Sequence, residues 1–132
     1  MKTFDVIALG ELNVDLILNR IAGFPEVGKE IFARDMICTL GSSTAIFAAN
    51  VSALGARTAF AGMIGRDAFG ELVRGSLEAR GVDTRYVIEA ADRATGVTVV
   101  MSYGEDRANV TYPGAMEALR FADLDPEIFL SA

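Results

Sequence analysis

Apolar and polar positions along this chain change period several times, and each change marks an element. Val6-Ile7-Ala8-Leu9 runs apolar without alternation, the pattern of a strand covered on both faces of a parallel sheet, so Phe4 to Leu9 reads as a buried strand. From Ile17 to Leu40 the pattern is irregular; Glu30 to Arg34 and Met36 to Cys38 read as strands covered on one face only. Thr44 to Leu54 reads as a helix ended by Gly55, and Thr58 to Ile64 as a second buried strand. Ala68 to Arg80 is a second helix ended by Gly81, with Leu72, Val73 and Leu77 toward the sheet. Tyr86 to Glu89 is a short strand, and Gly96 to Ser102 pairs with Asn109 to Tyr112 across a turn made by Gly104-Glu105-Asp106.

These elements assemble into an α/β class with a central, mostly parallel sheet flanked by helices. Residues 1–132 read as one unit without a repeat or a low-complexity linker, and segments near 15–40 and 95–113 read as a small β-lid upon it. Asp125 has the place of an N-cap and Pro126 that of a first-turn residue. The helix they start stops after about two turns, so the chain reads as truncated.

Composition narrows the function classes. With 132 residues, 52% of them hydrophobic, the chain can bury the core of one ordinary domain. A net charge of -6 argues against nucleic acid and anionic membranes as partners. No stretch approaches the length of a membrane span, and Asp5, Glu11 and Asp15 interrupt the N-terminal apolar run, which also lacks the basic leader of a signal peptide. Cys38 is the only cysteine, which rules out an internal disulfide and suits a reducing cytoplasm. The absence of histidine excludes a Ser-His-Asp triad, a Cys-His pair and a His-ligated zinc within this chain.

Two segments carry candidate chemistry. In Ala8-Leu9-Gly10-Glu11-Leu12-Asn13-Val14-Asp15, two polar residues follow directly on an apolar strand. Asn13 and Asp15 are two apart and point the same way in an extended chain, which suits a pair of vicinal hydroxyls; the alternative is a turn in which Asp15 bonds local backbone. In Gly41-Ser42-Ser43-Thr44-Ala45-Ile46, a small-residue turn enters a helix, which reads either as plain capping or as a close backbone approach to a ligand. Asp67 precedes a helix and reads as its N-cap. Gly62, Gly65 and Gly70 lack the Gly-x-Gly-x-x-Gly spacing, and no Gly-Lys-Ser/Thr phosphate loop occurs. Val97, Val99, Met101 and Val110 read as sheet core, with a sugar-facing or partner-facing role as the alternative.

In order and spacing these motifs resemble the N-terminal part of the ribokinase-like, or PfkB, carbohydrate kinases. Leu9 to Asp15 is similar to the family's opening strand and sugar-binding pair, Phe24-Pro25-Glu26-Val27-Gly28-Lys29-Glu30 to its proline-glycine turn, and Gly41 through Gly65-Arg66-Asp67-Ala68-Phe69-Gly70 to its first signature. Ala94-Thr95-Gly96-Val97-Thr98 and Tyr112-Pro113-Gly114-Ala115 fit its later lid strands. The resemblance implies ATP-dependent phosphorylation of a hydroxyl on a sugar or sugar-like substrate. Asn13 and Asp15 would grip hydroxyls, Gly41, Ser42 and Ser43 would shape the pocket floor, and the lid would close over the sugar and join two copies as a homodimer. ATP, Mg²⁺ and the catalytic Asp belong to a C-terminal half whose Gly-Ala-Gly-Asp type motif is not in this sequence, so no catalytic residue and no metal ligand is assigned here, and the 132-residue chain is expected to be inactive.

Two positions depart from the family pattern. Ser42 stands where a second glycine is usual, and Ile46 where an Asn helps hold the sugar, with Asn50 one helical turn further on. A non-catalytic sugar or nucleoside sensor and a lid-mediated dimerisation module are the alternative functions.

Overall fold

The computed structural model describes residues 2–132. Its elements, in chain order, are β1 (Val6–Leu9), β2 (Asn13–Asn19), β3 (Asp35–Leu40), α1 (Ser43–Ala53), β4 (Thr58–Gly65), α2 (Ala68–Ala79), β5 (Asp83–Ala90), β6 (Gly96–Tyr103) and β7 (Asp106–Tyr112). Three short 3₁₀ segments follow, Gly114–Glu117, Phe121–Asp123 and Pro126–Leu130.

The strands sort into two sheets. A parallel sheet in the order β1-β4-β5 has every residue of its central strand buried, which is why Thr58 to Ile64 carries an apolar run without alternation. One face of this sheet, with Ala8, Phe60, Ile64 and Val87, packs on Ala45 and Ala48 of α1 and on Val73 and Leu77 of α2. The other face, with Ala59, Ala61 and Tyr86, meets Phe4 and, from the last segments, Leu124 and Ile128. Leu72 of α2 lies at the margin of the helix contact, half-buried, while Val73 and Leu77 are sealed. Helix α1 buries alanines and leaves Ile46 and Phe47 partly exposed, so it lies close to the sheet without an apolar stripe of large side chains.

The second sheet has the order β3-β2-β6-β7, with β2 and β6 parallel at its centre and an antiparallel strand on each edge. The β6–β7 hairpin is one residue tighter than its sequence suggests. Tyr103 pairs with Asp106, which leaves a two-residue turn whose first member, Gly104, takes φ +64°. A positive φ at that position alone is what a type II′ turn requires.

Two expectations need correction. Glu30 to Arg34 is not a strand but the end of the loop that joins β2 to β3. Of its backbone only Arg34 N–H finds a strand partner, donating to Asn19 O at 3.1 Å, and Phe32 is 74% exposed; β2 takes Asp35–Leu40 as its partner instead. The loop is tied down elsewhere, by Arg20 on Asp35 at 2.7 Å and by Phe24 against the Tyr103 ring. The final helix is 3₁₀ rather than α, although Asp125 caps it as expected by accepting from Glu127 N–H at 2.9 Å.

The chain passes between the sheets after β1, β3, β5 and β7. These passages bring Asn13, Gly41, Thr95 and Pro113 to the seam between sheets. No helix among the described residues is long and apolar enough to cross a membrane.

Candidate functional site

Asn13 opens β2 just past the seam and is buried, and Asp15, on the same face, is half-buried. Asn13 Nδ2 donates to Asp15 Oδ1 at 3.0 Å and to Thr98 Oγ1 at 3.1 Å, and lies 3.3 Å from Val14 O. An ionised carboxylate can only accept, so the amide nitrogen has to face Asp15, and Asn13 Oδ1 is the end left for an incoming donor. Thr98 Oγ1 in turn lies 3.0 Å from Thr111 Oγ1. Strand register makes this a polar row across the whole second sheet: Thr39 stands opposite Asp15, Asp15 opposite Thr98, and Thr98 opposite Thr111.

Gly41 closes the site from the β3 side. Its N–H donates to Asn13 O at 2.9 Å, and a Cβ built on it would stand 2.5 Å from Asp15 Oδ1 and 2.7 Å from Asn13 Nδ2. Only glycine leaves room for the pair. Ser42 is drawn into another task. It takes φ +69°, rare for a side-chain-bearing residue, and its Oγ accepts from Ala45 N–H at 3.2 Å as the N-cap of α1. Ser43 is exposed and makes no side-chain hydrogen bond among the described residues. The fold therefore brings Asn13, Asp15 and Gly41 together, places Ser42 as the adjoining cap and leaves Ser43 open to solvent.

A cavity of about 530 Å³ is lined by Asp15 and Thr39 together with Ile46, Asn50 and Arg80. Asn50, on the turn after Ile46, thus shares the cavity with Asp15. A second, mostly hydrocarbon cavity of about 330 Å³, lined by Leu9, Leu12, Met63 and Leu124 among others, lies by β1 and contains none of the candidate residues. Val97, Val99 and Met101 alternate with Thr98 and point to the opposite face of β6, and Val110, paired with Val99, lies on that same face. They therefore do not face a ligand beside Asp15; Val97, Val99 and Met101 are half-buried and Val110 is exposed.

Asp67 is the N-cap of α2, as its position before the helix suggests. Its carboxylate accepts from Gly70 N–H at 2.8 Å, and from Thr95 N–H at 2.8 Å and the Thr95 hydroxyl at 2.6 Å. Burial pushes its pKa up, but the hydrogen bonds from Thr95 and Gly70 outweigh this and hold it below the ordinary carboxylate value. With both oxygens engaged, Asp67 is a clasp between α2 and the start of β6, not a base.

No group of three or more His, Cys, Asp or Glu residues that could hold a metal ion occurs among the described residues.

The sequence matches the pfkB family carbohydrate kinases over residues 3–131. The chain belongs to this family. Its α/β ribokinase-like fold is shared with solved kinase structures. A fructokinase from Halothermothrix orenii is 27% identical with a TM-score of 0.79, the likeness covering 95% of this chain and 42% of that one. An uncharacterized sugar kinase from Pyrococcus horikoshii in complex with ATP is 26% identical with a TM-score of 0.80, covering 96% and 40%. A ribokinase from Arabidopsis thaliana complexed with ribose and ATP is 29% identical with a TM-score of 0.73, covering 83% and 36%. This chain of the pfkB family therefore spans about two fifths of the length of the structures it matches. No curated protein matches it.

Thr39, Thr98 and Thr111 were not singled out in the sequence, because threonine in a strand reads as β-propensity. One signal was available for two of them: Thr98 and Thr111 are equidistant from the closing pair Tyr103 and Asp106, so any tight turn there sets them opposite each other.

Proposed function

We propose that this chain carries the substrate site and covering sheet of an ATP-dependent sugar kinase that phosphorylates a hydroxyl of a sugar or sugar-like substrate. The observation that supports this reading most is the packing of Asn13, Asp15 and Gly41 at the seam between the sheets. A carboxylate and an amide oxygen, side by side with a backbone that has no side chain, suit two neighbouring hydroxyls, each donating one hydrogen bond. Ser42 shapes the floor of this pocket as the cap of α1, and Ser43 supplies a free hydroxyl at its rim. The second sheet, residues near 15–40 and 95–113, acts as the lid, and excluding water there keeps water from taking the phosphoryl group in place of the acceptor hydroxyl.

ATP and Mg²⁺ are held, in this reading, by residues outside the 132, together with the catalytic Asp. Met36 on β3, with Val110 and Tyr112 on β7, exposes apolar surface on the face opposite Asp15 that suits a homodimer contact through the lid. An unpaired Cys38 accords with a cytoplasmic location. Ile46 puts hydrocarbon into the cavity where the family pattern has Asn, with Asn50 a turn away. D-Fructose and D-ribose, after the fructokinase and the ribose-bound ribokinase that this chain is similar to, are the first substrates to compare, and the loss of the Asn contact at position 46 counts against an unchanged preference for either.

Asp15→Ala tests the reading. Calorimetric affinity for the bound sugar should fall roughly ten- to hundredfold, the equivalent of a charged hydrogen bond worth about 1.5–3 kcal/mol, with the thermal midpoint nearly unchanged. A midpoint that drops while affinity holds would make Asp15 a structural turn residue and remove the main support for a kinase site here.

A further inference from the structure

We propose that Thr98, braced by Thr111, is a positioning residue that fixes the Asn13 amide and so makes the substrate pair accept hydrogen bonds only. This rests on the kinase reading above. Asn13 Nδ2 has two hydrogens, and its two strongest acceptors, Asp15 Oδ1 at 3.0 Å and Thr98 Oγ1 at 3.1 Å, take one each. Thr98, having accepted, still carries a hydroxyl hydrogen, and Thr111 Oγ1 at 3.0 Å is placed to receive it. The chain of bonds runs from the edge strand β7 through β6 to β2: Thr111 stands opposite Thr98, and Thr98, opposite Asp15, reaches diagonally to Asn13 on the same face. None of its members is a backbone group of the ladder, so the sheet would form without it. Its effect is on which way the amide faces.

With the nitrogen committed inward, Asn13 Oδ1 and the free oxygen of Asp15 are what an incoming molecule meets. Both accept, and one is anionic. The subsite therefore takes a neutral diol whose two hydroxyls both donate, and it repels a phosphate or carboxylate at that position; a substrate already bearing an anionic group must keep it away from Asp15. Loss of Thr98's acceptor would leave the amide held by Asp15 alone and free to swing about that one bond, so that Oδ1 no longer stands at a fixed place beside the carboxylate, which blunts this selectivity.

The test compares Thr98→Val, which keeps the shape and removes the hydroxyl, with Thr98→Ser, which restores it, and with Thr111→Val. In the isotopically labelled chain, the exchange rate of the Asn13 side-chain amide protons is followed by NMR, beside calorimetry with D-fructose and D-ribose. Thr98→Val should speed exchange of one amide proton by about tenfold and weaken binding of the sugar by a similar factor, Thr111→Val should do less of both, and Thr98→Ser should return both toward wild type. Unchanged exchange in Thr98→Val overturns the proposal, and so does unchanged affinity where wild type binds sugar. If neither sugar binds wild type while exchange still responds as expected, the brace on Asn13 is supported and it is the kinase site that falls.

Discussion

Asp67 and Thr95, 28 residues apart, are joined twice: one carboxylate oxygen accepts from the Thr95 N–H at 2.8 Å and the other from its hydroxyl at 2.6 Å. Thr95 is 1% exposed and passes the connection on, its hydroxyl oxygen accepting from Gly65 N–H at 2.9 Å. The cap of α2, the end of β4 and the start of β6 thus meet in one node, buried at Thr95 and half-buried at Asp67. Asp67→Ala should cost about 2 kcal/mol of unfolding free energy, because it leaves the Thr95 donors and an N-terminal helix amide without partners. Urea denaturation measures it, and a loss within experimental scatter would show that water replaces the carboxylate freely.

The same carboxylate predicts an acid response. A folded pKa below the ordinary 3.8 means that the stabilisation Asp67 provides is fully present above that value and is lost as pH falls through the lowered one. Asp5 adds to this in the same direction, since its hydrogen bonds to the Arg57 side chain and backbone bring it down to about 2. Thermal melts should therefore fall from just below pH 3.8 downward, and Asp67→Asn should flatten the slope. Because the Asp5–Arg57 pair lies at the surface, Asp5→Asn should change the slope at low salt and hardly at all at high salt.

Ser42 combines a helix cap with a backbone conformation that favours glycine. Ser42→Ala keeps the strain and loses the cap, and should destabilise by about 1 kcal/mol. Ser42→Gly relieves strain of roughly 1–3 kcal/mol against a smaller entropic and capping loss, for a net gain of about 0.5–1 kcal/mol. Thermal denaturation should give the order Gly, Ser, Ala; the reverse order would mean that Ser42 is relaxed.

Gly41→Ala places a methyl group against Asp15 Oδ1 and the Asn13 amide. Overpacking of this kind costs about 1–3 kcal/mol, and it should also drive the two side chains out of register with a ligand. Sugar affinity measured by calorimetry should fall further than in Asp15→Ala, with a lowered melting midpoint. Retained affinity would show that Gly41 does not border the site.

The purified 132-residue chain should produce no sugar-dependent ADP, since in the proposed reading the nucleotide and the catalytic Asp are held by residues outside it. A coupled assay with D-fructose or D-ribose, ATP and Mg²⁺ checks this. Turnover above background would mean that the chain itself holds the nucleotide.

Sequence alone was enough wherever one local rule decides the outcome. The unbroken apolar run of β4 demands burial on both faces, Asp67 and Asp125 stand where caps must stand, and Asn13 and Asp15 share a side of any extended segment. The tertiary structure decided the rest, because strand partners are chosen by packing over long separations that no local pattern records. Glu30 to Arg34 carries three apolar residues in a row between charges yet forms no strand, whereas Asn13–Leu18 lies parallel to Gly96–Met101 from the far side of the chain. That one pairing sets Thr98 beside Asn13 and carries the polar row from Thr39 to Thr111, so the Asn13 amide takes its first bond from Asp15 nearby and its second from a contact across 85 residues that no local pattern records.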